Sequence, residues 1–82
     1  MNFKNIIHKL QLRQSTIATM ESCTGGGVAN AITNMEGASE VFNFSAVTYC
    51  NEYKIKMGVA RDVIDKYTVY SMETAKEMAK SI

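Results

Sequence analysis

The chain of 82 residues has a formal net charge of +1, and 46% of its residues are hydrophobic. This length allows one domain at most, and the apolar fraction predicts a packed core rather than a disordered chain. The nearly neutral charge gives no basis for direct binding to nucleic acid or to a membrane, and no apolar run approaches the roughly 20 residues of a membrane span.

The first half of the sequence predicts a helix, a strand and a second helix. The spacing of the apolar residues near the N-terminus predicts the first helix, with one apolar face formed by Phe3, Ile6, Ile7 and Leu10. Residues 15–20 are rich in β-branched side chains and predict a short strand. A turn with three consecutive glycines covers residues 21–27, and a second helical stripe starts at Val28. Gly37 stands where a glycine commonly ends such a helix.

The second half predicts one longer strand and three helices. Residues 41–50 form the strand candidate, and Asn51 can cap a short helix that ends at Gly58. Residues 61–67 indicate another short helix. Ser71 is a suitable N-cap for the last helix.

Alternating helices and strands of this kind predict an α/β fold with helix, sheet and helix layers. Two strands are too few to cover all the predicted helices, and the sequence ends at Ile82 within an apolar helical stripe. We therefore expect residues 1–82 to form a single but incomplete domain. Unpaired strand edges would offer hydrogen bonds to a second copy, so the pattern also predicts a homo-oligomer.

The N-terminal segment and the cysteines favour a cytoplasmic protein. Residues 1–10 are interrupted by polar residues and lack the continuous apolar stretch of a signal peptide. Cys23 and Cys50 stand outside any CxxC pair, and the single histidine cannot complete a zinc site with them. We expect reduced thiols and no metal or cofactor.

Ser22 is the first candidate for chemistry, because it lies between a predicted strand and a glycine-rich helix start. Backbone N–H groups converge at such a turn and suit a phosphate or a developing oxyanion. The alternative is a plain capped turn, with Thr24 as the N-cap. Cys23 is a second possible nucleophile. The segment is neither a Walker loop nor a dinucleotide fingerprint, and Met20 excludes a GxSxG elbow.

A serine nucleophile needs a base. His8 falls on the polar side of the first helix, so we expect an ordinary surface residue. A lysine with a lowered pKa is the remaining choice, and Lys54 is the best placed, at the start of the helix that follows the long strand. The alternative is a solvated lysine on that helix. Tyr49 could bind substrate or relay a proton, or could simply pack.

Several motifs in order resemble one family. Residues 16–27, TIATMESCTGGG, resemble "TIATAESCTGG", the opening motif of the CinA C-terminal domain, also called the PncC family of nicotinamide-nucleotide amidases. Residues 47–54, VTYCNEYK, resemble its "VTYSNEAK" segment. Residues 57–59 resemble "LGV" and residues 69–79 resemble "AVSEEVAREMA". The resemblance extends over nearly all of the chain.

The resemblance implies an α/β enzyme that hydrolyses the carboxamide of nicotinamide mononucleotide to nicotinic acid mononucleotide and ammonia, without a metal. It implies that Ser22 is the nucleophile and Lys54 the base, with Thr24 and Tyr49 assisting. The substrate-binding residues that it implies are Glu21, Gly25, Gly26, Gly27 and Asn51.

The sequence departs from the family pattern at Met20, Gly27 and Cys50. The family domain is also about twice as long, and its second half carries a "TGIAGPGG"-like segment that is not present here. We therefore expect this chain alone to be inactive. The alternative function is a catalytically inactive, truncated domain that serves as a binding or assembly module.

Overall fold

The computed structural model describes residues 2–82, which form five α-helices, one short 3-10 helix and two β-strands. The elements are α1 (Phe3–Arg13), β1 (Ile17–Glu21), α2 (Gly27–Thr33), the 3-10 helix (Ala38–Glu40), β2 (Phe42–Val47), α3 (Asn51–Lys56), α4 (Arg61–Tyr67) and α5 (Met72–Ser81). The predicted α/β class and order of elements are confirmed. No helix within these residues is long and apolar enough to cross a membrane.

The two strands lie parallel and side by side. Pairing runs from Ile17 opposite Phe42 to Glu21 opposite Val47. Both strands are shorter than predicted, and the sheet ends where this register ends. Because the strands are parallel, their carboxyl ends meet at one edge of the sheet, which is where α/β proteins generally place their sites. The glycine turn after β1 and the segment from Thr48 to α3 therefore lie next to each other.

Two apolar clusters lie on opposite faces of the sheet. The first contains Ile7, Ile32, Ala38 and Val41, and the second contains Val59, Ile64 and Met78. On β1, Ile17 packs against the first cluster and Met20 against the second. Positions of odd and even number on a strand point to opposite faces, so the sheet separates the two clusters. This confirms the predicted helix, sheet and helix layers.

The structure corrects the predicted role of Gly37. Helix α2 ends at Thr33 with Asn34 as its C-cap, so Gly37 does not end it. Gly37 instead precedes the 3-10 helix with a φ of +86°. A Cβ atom at this position would lie 2.6 Å from the Gln11 Nε2 atom. The left-handed backbone favours glycine here, whereas the contact involves the mobile end of the Gln11 side chain, which could move aside.

Two other predicted caps have different outcomes. The Ser71 side chain accepts a hydrogen bond from the Thr74 N–H at 3.2 Å, which confirms Ser71 as the N-cap of α5. Asn51 was expected to cap α3, but it is the first residue of that helix, and Cys50 occupies the N-cap position. This leaves the Asn51 side chain at the strand ends, on the side of the candidate site.

Candidate active site

The candidate site is built where the two strands end. The Thr48 N–H donates a hydrogen bond of 2.8 Å to the Glu21 carbonyl, which extends the strand pairing one step beyond the sheet. Ser22 follows immediately on one strand, and Tyr49 follows on the other. The parallel register therefore brings residues that are more than 25 positions apart in sequence to one place.

Lys54 lies across this junction from α3. Its side chain is 2% exposed, and its Nζ atom lies 3.1 Å from the Ser22 Oγ atom. Nζ also donates to the carbonyl oxygens of Thr48, at 2.7 Å, and Tyr49, at 3.2 Å. The alternative of a solvated lysine is wrong. Burial of a lysine head group is rare unless its hydrogen bonds are supplied in this way.

The partners of Lys54 suit proton exchange with Ser22. A protonated ammonium has three donors, and the hydroxyl and two carbonyls can accept all three. A neutral amine keeps two donors for the carbonyls and has one lone pair, which can accept the Ser22 proton. The proton can therefore move between Oγ and Nζ without rearrangement of the surrounding groups. This is the geometry required of a nucleophile and its base.

His8 takes no part in this arrangement. It is exposed on α1 and lines a surface groove with Lys4, Glu36 and Glu40. Its predicted role as a surface residue is confirmed, and the described chain supplies Ser22 with lysine rather than histidine. Within residues 2–82, no group of three or more histidine, cysteine or acidic side chains is arranged to hold a metal ion.

A cleft of about 200 Å³ opens beside Ser22 and Lys54. It is lined by Ser22, Cys23, Tyr49, Asn51, Lys54, Val69 and Tyr70. Tyr49 is 76% exposed and Tyr70 is 94% exposed, so two phenol rings border the opening. Sequence reasoning missed Val69 and Tyr70. Their position in the loop between α4 and α5 was the available signal, since binding residues are found disproportionately on loops.

The glycine turn gives Ser22 its exposed position. The Gly25 N–H donates to the Ser22 carbonyl at 3.0 Å, and the Gly27 N–H donates to the Thr24 carbonyl at 2.9 Å. Gly25 and Gly26 have φ values of +58° and +95°, which glycine adopts without strain. Two consecutive tight turns thus reverse the chain between β1 and α2. Gly26 is the N-cap of α2, so the alternative of Thr24 as the N-cap is wrong.

The Glu21 carboxylate lies behind this turn and is 5% exposed. Its Oε1 atom accepts from the Thr24 hydroxyl at 2.6 Å and from the Val28 N–H at 2.9 Å. Its Oε2 atom accepts from the Ala29 N–H at 2.9 Å and from the Thr19 hydroxyl at 3.1 Å. Burial by itself raises the pKa of the Glu21 carboxyl, but these four hydrogen bonds outweigh it and lower the pKa from 4.5 to about 2.

The predicted site residues therefore fall into two groups. Ser22, Lys54, Tyr49 and Asn51 line one cleft. Glu21 and Thr24 bond to each other behind the turn, and Gly25, Gly26 and Gly27 form the turn itself. The two groups are adjacent because Glu21, Ser22 and Thr24 belong to the same short segment, residues 21–24.

A second, larger groove of about 460 Å³ follows β1. Four consecutive β1 residues, 18–21, line it, together with side chains of α2 and α5. Alternate residues of a strand face opposite sides, so a groove that touches all four must run along the strand edge. This edge is unpaired in the described chain, because β1 has β2 as its one neighbour there.

Comparison with known proteins places this arrangement in a family. Residues 2–82 match the family described as the CinA C-terminal domain. The competence-damage inducible protein of Caldanaerobacter subterraneus subsp. tengcongensis is 51% identical over 78 residues, which cover 94% of this chain and 19% of that protein. The corresponding protein of Clostridium beijerinckii is 45% identical over 84 residues, which cover 100% of this chain and 20% of that protein.

Solved structures of related proteins indicate the same family. The competence/damage inducible protein CihA from Agrobacterium tumefaciens superposes with a TM-score of 0.90 at 35% identity, covering 96% of this chain and 48% of that one. A CinA superfamily protein from Escherichia coli superposes with a TM-score of 0.92 at 29% identity, covering 96% of this chain and 46% of that one. The chain thus spans about a fifth of the curated relatives and about half of the solved chains that it matches. It belongs to the CinA C-terminal domain family.

Proposed function

We propose that this chain carries the nucleophile half of an amidase that hydrolyses the carboxamide of nicotinamide mononucleotide. The observation that supports this most strongly is the 3.1 Å contact between the Ser22 Oγ and Lys54 Nζ atoms, with Lys54 buried. The sequence motifs around both residues support the choice of substrate, because they resemble those of nicotinamide-nucleotide amidases.

The reaction proceeds in two stages. The Ser22 Oγ atom attacks the carboxamide carbon and passes its proton to the Lys54 Nζ atom. Lys54 then returns this proton to the amide nitrogen, which leaves as ammonia, and an ester to Ser22 remains. Lys54 next takes a proton from water, which attacks the ester carbon. Ser22 recovers its hydroxyl proton from Lys54 as nicotinic acid mononucleotide departs.

The turn after Ser22 offers donors for the oxyanion that forms in both stages. Within residues 2–82, the N–H groups of Cys23 and Thr24 donate no internal hydrogen bond. Free backbone donors next to a nucleophile are the usual components of an oxyanion hole. We assign this role to the Cys23 and Thr24 N–H groups, so Thr24 assists through its backbone as well as through its bond to Glu21.

The cleft residues supply contacts to the substrate. Tyr49 and Asn51 border the opening with exposed side chains, which leaves the phenol and the amide free to hydrogen-bond a ligand. The glycine turn leaves room close to the backbone, since a Cβ atom at Gly25 or Gly27 would meet nothing within 4 Å. These features suit a polar nucleotide that approaches Ser22 from the open side.

The chain by itself is expected to release no ammonia. The cleft of about 200 Å³ is small beside the 300–1,000 Å³ of typical ligand sites, and the groove along β1 is open. We propose that further strands on this edge complete the site.

The test is a fusion of residues 1–82 to the rest of the C-terminal domain of the Caldanaerobacter subterraneus relative. We expect the fusion to release ammonia from nicotinamide mononucleotide, and Ser22→Ala to reduce turnover by about three orders of magnitude or more. Ser15→Ala removes a hydroxyl that bonds only to the Arg13 carbonyl, at 3.3 Å, and is the matched control. Turnover by the fusion that survives Ser22→Ala would refute the proposal.

A second candidate function is an assembly module without catalysis. The observation that favours it is the groove of about 460 Å³ along the open β1 edge, which can accept a strand from another chain. The same fusion distinguishes the two functions, because a module would give a folded fusion with no ammonia release.

A further inference from the structure

The Glu21 carboxylate is the one acidic group that is buried among the described residues of the site, and the amidase reaction above gives it no chemical step. It is 5% exposed, and both of its oxygens are occupied by hydrogen bonds from the protein. A side chain that is committed in this way has no free oxygen to bind a substrate. Its contacts instead connect the strand, the turn and the following helix.

The side-chain bonds of Glu21 join two elements. The Thr19 hydroxyl comes from β1, on the same face as Glu21, and the Val28 and Ala29 N–H groups come from the first turn of α2. N-terminal N–H groups of a helix have no partner within the helix, so an outside acceptor must satisfy them. Glu21 does this across the whole glycine turn and fixes the distance between the end of β1 and the start of α2.

The main chain of Glu21 reaches the base as well. Its carbonyl accepts from the Thr48 N–H at 2.8 Å, and the Thr48 carbonyl accepts from Lys54 Nζ at 2.7 Å. Lys54 in turn contacts Ser22, the residue bonded to Glu21. A closed ring of contacts thus passes through Glu21, Thr48, Lys54 and Ser22. A shift of the Glu21 backbone would therefore act on both Ser22 and the Thr48 carbonyl that holds Lys54.

We propose that Glu21 is a positioning residue, whose buried carboxylate holds the glycine turn so that Ser22 stays within hydrogen-bond distance of Lys54. This inference rests on the proposed role of Ser22 as the nucleophile. It replaces substrate binding as the role of Glu21. Displacement of a reacting atom by about 1 Å can reduce a rate by about 100-fold, so the loss of this carboxylate has a large expected effect.

Glu21→Gln is the informative substitution, because the amide keeps the size of the side chain but has one acceptor oxygen. The second position becomes an NH₂ group that faces an N–H donor from α2. Glu21→Asp keeps both acceptors on a shorter stem. Glu40→Gln is the matched control, since the Glu40 carboxylate accepts from Gln11 Nε2 at 3.1 Å on the far side of the molecule.

The experiment measures how fast a fluorophosphonate reacts with Ser22 in the 82-residue chain, by intact and peptide mass. All variants are compared at a temperature where circular dichroism shows each of them folded. We expect Glu21→Gln to slow the reaction at least tenfold, Glu21→Asp to recover part of the lost rate, and Glu40→Gln to match the wild type. A merely structural role would leave the rate of the folded variants unchanged.

The outcomes separate this inference from the proposed function. Equal rates for the wild type and folded Glu21→Gln would overturn the positioning role, whatever the substrate. No adduct on Ser22 of the wild type would overturn both the nucleophile and its positioning. Slower reaction of Glu21→Gln, together with no ammonia release by the fusion, would support the positioning role and refute the proposed amidase.

Discussion

Glu21 makes the stability of this chain depend on pH in a way that Glu21→Gln removes. The four hydrogen bonds outweigh the effect of burial and lower the pKa of the folded carboxyl from 4.5 to about 2. In the unfolded chain the group protonates near its ordinary pKa. Between these two values the unfolded state binds a proton that the folded state does not, so the free energy of unfolding falls as the pH falls.

The size of this contribution follows from the lowered pKa. At about 1.4 kcal/mol for each pKa unit, the shift from 4.5 to about 2 corresponds to at most about 3.5 kcal/mol. Glu21 lines the open groove along β1, where solvent is expected to screen the carboxylate, so we expect ~1–3 kcal/mol after screening. This stabilisation is fully present above about pH 5 and is lost progressively toward pH 2.

Urea unfolding at a fixed protein concentration, followed by circular dichroism from pH 7 to pH 2, measures the effect. We expect the wild type to be more stable than Glu21→Gln at pH 7, and the difference to shrink by ~1–3 kcal/mol as the pH falls to 2. The other acidic groups are the same in the wild type and in Glu21→Gln, so their contributions cancel in the difference between the two free energies of unfolding. A difference that stays constant over this pH range would refute the assigned hydrogen bonding.

Other predictions concern the base, the turn, a cap and assembly. Lys54→Met in the fusion should abolish ammonia release, because no other described side chain donates a hydrogen bond to Ser22. Turnover above about a hundredth of the wild-type rate would contradict this prediction. Gly26→Ala forces a side chain to a φ of +95° and should cost about 1 kcal/mol or more in urea unfolding. Ser71→Ala removes the α5 cap and should cost about 1 kcal/mol. Sedimentation of the chain should show concentration-dependent association through its open strand edges, and a well-folded monomer at all concentrations would contradict this.

The sequence predicted the layered fold, which is confirmed. It also named Ser22 and Lys54, whose side chains lie 3.1 Å apart, although the residue pattern alone left both candidates open and their catalytic roles remain a prediction. Lys54 follows the ordinary pattern of a solvated helix residue. Its burial depends on the parallel register, which carries Thr48 and Tyr49 beside Ser22 and presents their carbonyls to Nζ. The spacing of residues within one segment does not determine how two distant strands pair, so the sequence pattern could not predict this burial. The family motif supplied the choice that the local pattern could not make.

The hydrogen bonds of the Glu21 carboxylate were not predicted, for a related reason. Sequence rules look for a helix cap within about three residues of the N–H groups that it accepts. The Glu21 carboxylate bonds to N–H groups seven and eight residues further along, across two tight turns. The local pattern therefore indicated Thr24 as the N-cap of α2. The Thr24 hydroxyl instead donates a hydrogen bond to the Glu21 carboxylate. Gly37 was assigned to the wrong helix because glycine spacing alone cannot distinguish the end of one helix from the start of another.

Chemical rescue of the base tests the central claim most directly. Lys54→Ala in the fusion removes the amine and leaves space where its buried side chain lay. If Lys54 exchanges a proton with Ser22, added propylamine should restore part of the consumption of nicotinamide mononucleotide in a saturable manner, and it should restore none in the double variant with Ser22→Ala. Near-normal turnover of Lys54→Ala without any added amine would contradict the account.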